Sequence, residues 1–452
     1  MSNNFTSTDT FSPLSVNTAT PDQVLNALLG SIQVLDQNRA EYCVHPESDF
    51  TRPCRLDFST VVKTILCFGS STVRGELSET FGTLNPDADL PTKNAFIMRR
   101  QLIRPEAFQF LFSTFMSQFT DFKTQYGFRI LASDCAIHSI PNNAKDYNTK
   151  VQAKPGTKPY NQVGIQALHD ALSDVTVNVV VNDFNDHSEE KAFLQLVGNL
   201  KNPETCIITA DRYYGTLNNI AHLSRIGAHF VLRCKDINSN GFASSYQLPD
   251  SEFDLSFHRK LTFHRRKADA DIPDLQVIAK SSFDFFDESD YFDVDFRLVR
   301  VDLGDGNFEL LVTDLPRKLF PPKVIREIYW KRWKVETSFR RIKHIMASLY
   351  FHSYKHDSVL QEIYAKFIMY NFATLVSAGV SIPPTPGKKQ GRFVNFSVAV
   401  DDSRRFLLGK INAASLLKRL RQDPCLVRPD RVAPRNKCLD NQTAKPFNAR
   451  PV

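Results

Sequence analysis

The sequence predicts an α/β protein: a mixed-sheet core with an antiparallel β-rich insertion, preceded by a helical N-terminal domain. Three observations predict it. Residues 22–120 repeat apolar positions at helical spacing, and residues 121–234 alternate short apolar runs with helical segments. Residues 235–320 alternate polar and apolar positions between glycine-bearing turns.

The first 21 residues are polar, and they lack the basic start and apolar centre of a secretion signal. They are expected to be disordered, and the protein is expected to be cytoplasmic. The helical unit follows as DQVLNALLGSIQVL, STVVKTILCFGS and TKNAFIMRRQLIRPEAFQFLFSTFMSQF, separated by polar or Gly/Pro-containing breaks. Within the last stretch, a short helix carrying Arg99, Arg100 and Arg104 turns before Pro105 into an amphipathic helix. That pair has two readings, a DNA-end-binding helix-turn-helix or plain structural packing.

From residue 121 the pattern changes. FRILASD, GIQALHDAL and VTVNVVVND predict three strands, SEEKAFLQLVGNL a helix, CIITAD a strand, IAHLSRIG a helix and AHFVLRC a strand. This β-β-β-α-β-α-β order makes residues 121–234 the first part of a core whose strands are covered by helices. SEFDLSFHRKLTFHRR, YFDVDFRLVRVDL and FELLVTDL belong to the insertion at 235–320. Helices over 321–380 complete the core, and PPTPGKKQG opens a basic C-terminal tail at 381–452.

The formal charge is +7, and its distribution is more telling than its size. Basic residues concentrate between Lys323 and Lys343 and again between Lys388 and Lys437, which suits a long polyanion better than a small acidic metabolite. No apolar run is long enough to cross a bilayer, so no membrane association is expected. The eight cysteines are never two to four residues apart, so zinc-ribbon spacing is absent. No G-x-G-x-x-G turn follows a candidate strand, which disfavours a dinucleotide-dependent oxidoreductase.

The candidate chemistry lies in three carboxylates. Asp134 follows ILAS and Asp211 follows CIITA, so both are expected at strand ends, where neighbouring strands would present them at one edge. Glu336 lies in YWKRWKVETSFRRIK, read as one helix, with Tyr329, Arg332 and Lys343 on its stripe by their spacings of three, four and seven residues. Phosphoryl transfer on nucleic acid commonly uses two divalent metals about 4 Å apart. Carboxylate oxygens suit hard cations such as Mg²⁺. Glu336 would bind metal beside Asp134 and Asp211, with Arg332 and Lys343 on phosphates and Tyr329 bonding a phosphate or buttressing the stripe. Arg212 and Arg340 join this phosphate-binding set. The plainer alternative makes the aspartates solvated turn formers and pairs Glu336 with Arg332 or Arg340 on a solvated helix. Trp330 and Trp333 either stack on a displaced base or fill the core-facing side, packing being favoured.

The stripe Tyr329-x2-Arg332-x3-Glu336-x6-Lys343 is similar to the tyrosine-arginine-glutamate-lysine signature of bacterial insertion-sequence transposases of the DDE (Asp-Asp-Glu) type. LASDCAIHSIP resembles that family's first-aspartate segment, and IITADRYYGTLNNIAHLSRIGAHFVLRCK its second. LVTDLP resembles the strand leading out of its β-rich insertion, and these features keep their order from residue 90 to residue 375. The resemblance implies an RNase H-like catalytic core in which Asp134, Asp211 and Glu336 are the catalytic and metal-holding carboxylates. Tyr329, Arg332 and Lys343 take the accessory positions. It further implies Mg²⁺, with Mn²⁺ as a substitute, and double-stranded DNA as partner, both transposon end repeats and target. Two ends to coordinate imply a homodimer, and DNA as partner implies a nucleoid-associated location. The implied reaction is cleavage at insertion-sequence ends followed by strand transfer. A metal-dependent DNA nuclease without strand joining and a catalytically inactive DNA-binding derivative are the alternatives. Where the family commonly has glycine after the first aspartate and after the second Asp-Arg pair, this chain has Cys135 and Tyr213.

Overall fold

The computed structural model describes residues 13–82, 89–152, 155–186, 188–264, 266–269, 271–279, 282–284, 290–304, 306–346, 350–383 and 391–426. The expected disorder of residues 1–21 falls partly outside this set. Within it, β1 (Leu14–Ser15) already pairs in parallel with β2 (Phe119–Thr120), closing the helical unit on itself. Between them run α1 (Pro21–Gln37), α2 (Arg39–Tyr42), α3 (Phe58–Cys67), α4 (Val73–Phe81), α5 (Lys93–Arg100) and α6 (Glu106–Met116).

Local sequence starts several of these helices. The Thr20 hydroxyl accepts the Gln23 N–H while the Gln23 side chain accepts the Thr20 N–H, a capping box that satisfies two otherwise orphaned donors of α1. Asp57, Thr72 and Thr92 cap α3, α4 and α5 with one side-chain bond each.

The sheet follows as β3 (Arg129–Ile140), β4 (Lys150–Val151), β5 (Tyr160–Asp170) and β6 (Val175–Asp183). Then come α7 (Glu189–Gly198), β7 (Cys206–Ala210), α8 (Leu217–Ile226) and β8 (His229–Arg233). Apart from the two-residue β4, this is the strand and helix order read from the sequence. The insertion contributes β9 (Phe253–Thr262), β10 (Leu275–Val277), β11 (Phe292–Gly304) and β12 (Asn307–Thr313). It is continuous with the core: β12 pairs antiparallel with β8, giving one sheet in the order β10-β9-β11-β12-β8-β7-β3-β5-β4, with β6 on β5. The β3–β7–β8 centre is parallel and the remaining core pairs are antiparallel. The architecture is RNase H-like, with a β-rich insertion and a helical N-terminal region.

After β12 the chain forms α9 (Pro322–Trp330), α10 (Trp333–His344) and α11 (His356–Ser377). It ends in β13 (Arg392–Phe393), α12 (Phe396–Leu407), α13 (Ala413–Gln422) and β14 (Cys425–Leu426). Side-chain parity divides the sheet faces. Leu131, Ile208, Ala210, Leu232 and Val312 pack with Ile220 and Phe193 from α8 and α7. Ile130, Ile207, Val231 and Leu311 pack with Ile325, Ile328 and Tyr329 of α9. Further along that second face, Ala132, Ile165 and Ala167 join a core shared by α1, α3, α6, α10, α11 and α12.

That shared core bears on two expectations. The region read as a basic tail contains α12 and α13, packed through Phe406, Leu416 and Leu420. Arg405 and Arg419 pair with the buried carboxylate of Asp402, and Arg404 reaches Asp401 and the Phe68 carbonyl. Arg428, Arg431 and Arg435 lie outside the described residues. In the α5–α6 pair, Arg100 is only 2% exposed and binds Glu362 of α11 at 2.8 Å, so its charge serves packing. Arg99 likewise turns inward, onto the Phe50 ring and the Leu56 carbonyl.

Candidate active site

Register brings the two aspartates together. The parallel β3–β7 pairing ends at Ser133 opposite Ala210, so the next residues, Asp134 and Asp211, stand side by side on adjacent strands, a spacing of about 4.8 Å. Asp211 lies directly after β7, and its carboxylate accepts the Tyr213 N–H at 2.9 Å, folding the turn. Asp134 does not end its strand. β3 continues to Ile140 because the hairpin with β5 keeps pairing, Asp134 opposite Ala167 and Ile140 opposite Asn161. Asp134 therefore sits where the parallel partner stops, in the middle of a rigid strand.

The signature segment is two helices rather than one. α9 ends at Trp330, and α10 begins at Trp333. Through the junction, Lys331, Arg332, Lys334 and Val335 donate their N–H groups three residues back, a tightened turn that preserves the stripe. Arg332 is 4% exposed there. One of its amino groups binds Glu336 Oε1 at 2.6 Å, and the other approaches Asp134 Oδ2 at 3.7 Å. Glu336 is thus paired with Arg332, but the pair is docked against the sheet rather than solvated on a free helix.

The electrostatics follow from this crowding. Burial, together with Glu336 and Asp211, pushes the Asp134 carboxyl up to about 7 against the opposing pull of Arg332 and the Cys135 N–H. For Arg332, burial works against the charge, but Tyr329, Glu336 and Asp134 outweigh it and raise its pKa. Burial also raises the pKa of the Tyr329 phenol, which is 2% exposed. Lys343, two turns beyond Glu336, lies close enough to the buried His138 imidazole to add to the burial that pushes it down to about 4. His138 shares the Asp134 face of β3 by parity. Arg212 and Arg340 are exposed at the rim.

Among the described residues no group of three His, Cys, Asp or Glu side chains is positioned to hold a metal ion. The donor set itself suits a hard cation: three carboxylates, one of them destabilised by the other two, with a guanidinium between Asp134 and Glu336. Cys135 does not intrude. Its side chain points to the opposite sheet face, where burial raises the thiol pKa, while its N–H donates to Asp134 Oδ1 at 3.0 Å. Tyr213 projects outward, 56% exposed.

The Transposase DDE domain matches residues 128–372, more than half of the 452-residue chain. The chain belongs to the DDE transposase family. A solved structure of the piggyBac transposase, in a synaptic complex with hairpin DNA, is 10% identical with a TM-score of 0.48, covering 89% of this chain and 82% of that one. No curated protein matches. The family assignment rests on the domain match.

Within this DDE-family domain, two expectations about the signature helices need revision or addition. Trp330 and Trp333, favoured for packing, are 59% and 42% exposed. Ile325, Ile328, Tyr329, Val335, Phe339 and Ile342 occupy the inward positions instead, leaving the indoles beside Lys331 and Lys334 in an open surface recess. Sequence reading also missed Arg233, Glu309 and Arg326. Arg233 ends β8, and the strand before it was legible, but only the β7–β8 register, Ala210 opposite Leu232, sets it beside Asp211.

Proposed function

We propose that this DDE-family protein is a transposase that cleaves phosphodiesters at insertion-sequence ends and joins the freed strands to target DNA. The supporting observation is the gathering of Asp134, Asp211 and Glu336 at one sheet edge, with Arg332 bridging the first and third. In this reading Asp134, Asp211 and Glu336 hold divalent cations, Mg²⁺ or Mn²⁺. Such cations would supply charge neutralisation and a nucleophilic oxygen at neutral pH. Arg332 and Lys343, following the tyrosine-arginine-glutamate-lysine signature, bind the phosphates flanking the reacting one, with Arg212 and Arg340 at the rim and the buried Tyr329 buttressing the stripe.

The chain's own contribution is placement. Asp134 is fixed within β3 and Asp211 in the turn directly after β7, so the reacting phosphate meets groups held by two adjacent strands. Arg332, buried and permanently charged, offsets the carboxylates until substrate arrives. Water attack at the element end leaves a 3′-OH, and that hydroxyl then attacks a target phosphodiester in line, with no covalent protein intermediate. Two ends require two subunits, so the active species is a homodimer on double-stranded DNA at the nucleoid.

The test incubates purified protein with a DNA fragment carrying the element ends, supercoiled target and Mg²⁺, alongside Glu336→Ala. The expected result is 3′-OH formation and strand joining by the parent alone. Equal activity of the variant would sink the site, and cleavage without joining would favour a metal-dependent nuclease. End binding without either reaction in the parent would favour an inactive DNA-binding derivative.

A further inference from the structure

The row that holds the two aspartates continues across the sheet. The β7–β8 pairing ends at Ala210 opposite Leu232, so Arg233 follows beside Asp211, and Arg233 in turn faces Leu311 of β12. Glu309 lies two residues earlier on β12, on the same face by parity. α9 covers this face and brings Arg326 and Tyr329 over it.

The resulting cluster is under-neutralised. Glu309 is 7% exposed, yet its ion pair among the described residues, Oε1 to the Arg233 Nε, is 3.8 Å long. Its Oε2 has no hydrogen-bond partner among the described residues, and the buried Nε atoms of Arg326 and Arg332 have none either. Burial holds the Glu309 carboxyl raised against the attraction of Arg233, Arg326 and Arg332. Since Arg332 is already bound to Glu336, two guanidiniums share this carboxylate with unused hydrogen-bonding capacity on both sides. The Arg233 side chain remains 39% exposed, open to an incoming group.

We propose that Arg326 and Arg233, backed by Glu309, form a phosphate subsite for the DNA strand, one strand position beyond the carboxylate edge. Guanidinium forks match phosphate oxygens in pairs, and a phosphate there supplies the anion that Glu309 supplies only in part. The subsite rests on the DNA-acting reading above for its ligand alone. Glu309 lies beneath the two arginines and competes with an incoming phosphate for their charge.

Binding of a short double-stranded DNA, measured in EDTA over a range of salt concentrations, tests this without any contribution from strand cleavage. Arg326→Ala is expected to weaken binding several-fold and to lower the slope of log affinity against log salt by about one, while Arg326→Lys keeps the slope. Glu309→Gln is expected to bind as tightly as the parent or more tightly, since an anion competing for the guanidiniums is gone. An unchanged slope in Arg326→Ala overturns the subsite. So does weakened binding by a folded Glu309→Gln protein, which would mark the cluster as structural. A parent that binds with this slope but never cuts DNA would overturn the proposed function and leave the subsite standing.

Discussion

Two carboxylate clusters in this protein, each with a buried arginine, reach opposite electrostatic states. At the sheet edge, burial, helped by Glu336 and Asp211, outweighs Arg332 and the Cys135 N–H, and the Asp134 carboxyl is pushed up to about 7. Between α4, α5 and α11, burial works to raise Glu362, but Arg100 and His352 outweigh it, and its carboxyl falls to about 2. His352 bonds Glu362 at 3.0 Å and approaches Glu76 at 3.7 Å, while Lys366 donates to the Phe68 carbonyl nearby. The buried network is complete in itself and joins the N-terminal helices to α11. In the edge cluster the Asp134 carboxyl stays raised despite Arg332, which fits the proposed binding of a cation from outside. Burial alone therefore does not separate a structural network from a functional one. The balance of partners does.

The largest expected effect breaks the edge. Asp134→Asn, Asp211→Asn and Glu336→Gln should each lower metal-dependent DNA cleavage by at least about 10³-fold, read as single-turnover rates. Stability should not follow activity. A carboxyl raised from 3.8 to about 7 weakens the fold progressively as pH rises between those values, so Asp134→Asn should leave the melting temperature at pH 8 unchanged or higher. A clear fall would mean that the Arg332 contact dominates and the edge is stabilising after all.

Next in size is the buried network. Glu362→Gln strands Arg100 and His352 without their anion and should cost about 3–5 kcal/mol in chemical denaturation. A loss below about 1 kcal/mol would erase the contrast between the clusters.

Acid and base titration sharpen it further. Because the Glu362 pKa is depressed from 4.5 to about 2, its contribution is present above 4.5 and is lost as pH falls towards 2. For His352, burial opposes the proton but Glu362 and Glu76 outweigh it and raise the pKa, so its contribution is present below 6.5 and is lost as pH rises through the raised value. Urea midpoints across pH should therefore flatten in Glu362→Gln relative to the parent, and parallel profiles would contradict the assignment.

The smallest effect concerns the indoles. Trp330→Ala and Trp333→Ala should each change stability by about 0.5 kcal/mol or less, because exposed side chains lose little packing. A core tryptophan would cost about 3–5 kcal/mol, a difference that denaturation resolves easily.

Periodicity made most of the fold readable, because helices and strands impose different spacings on apolar residues. The order from β3 to β8 was legible in this way, as was the antiparallel insertion. Asp211 after CIITA was legible too, since a short apolar run followed by a polar turn marks a strand end. Asp134 was misjudged because the end of the apolar run marked the end of the parallel partner, while β3 continued in its hairpin with β5. The indoles were misjudged because a hydrophobic residue type does not state which face of a helix it occupies. Arg100 stayed open between DNA contact and packing because its partner, Glu362, lies far along the chain in α11.

By itself the sequence determined the element order, the candidate carboxylates and the spacing of the Tyr329–Lys343 stripe, because these depend on local backbone geometry and on residue identity. Tertiary structure alone decided which of them meet. Strand register set Asp134 beside Asp211 and carried Arg233 into the same row. The docking of α9 and α10 then brought Arg332 between Asp134 and Glu336. Such contacts join residues up to two hundred positions apart, and local spacing carries no information about them.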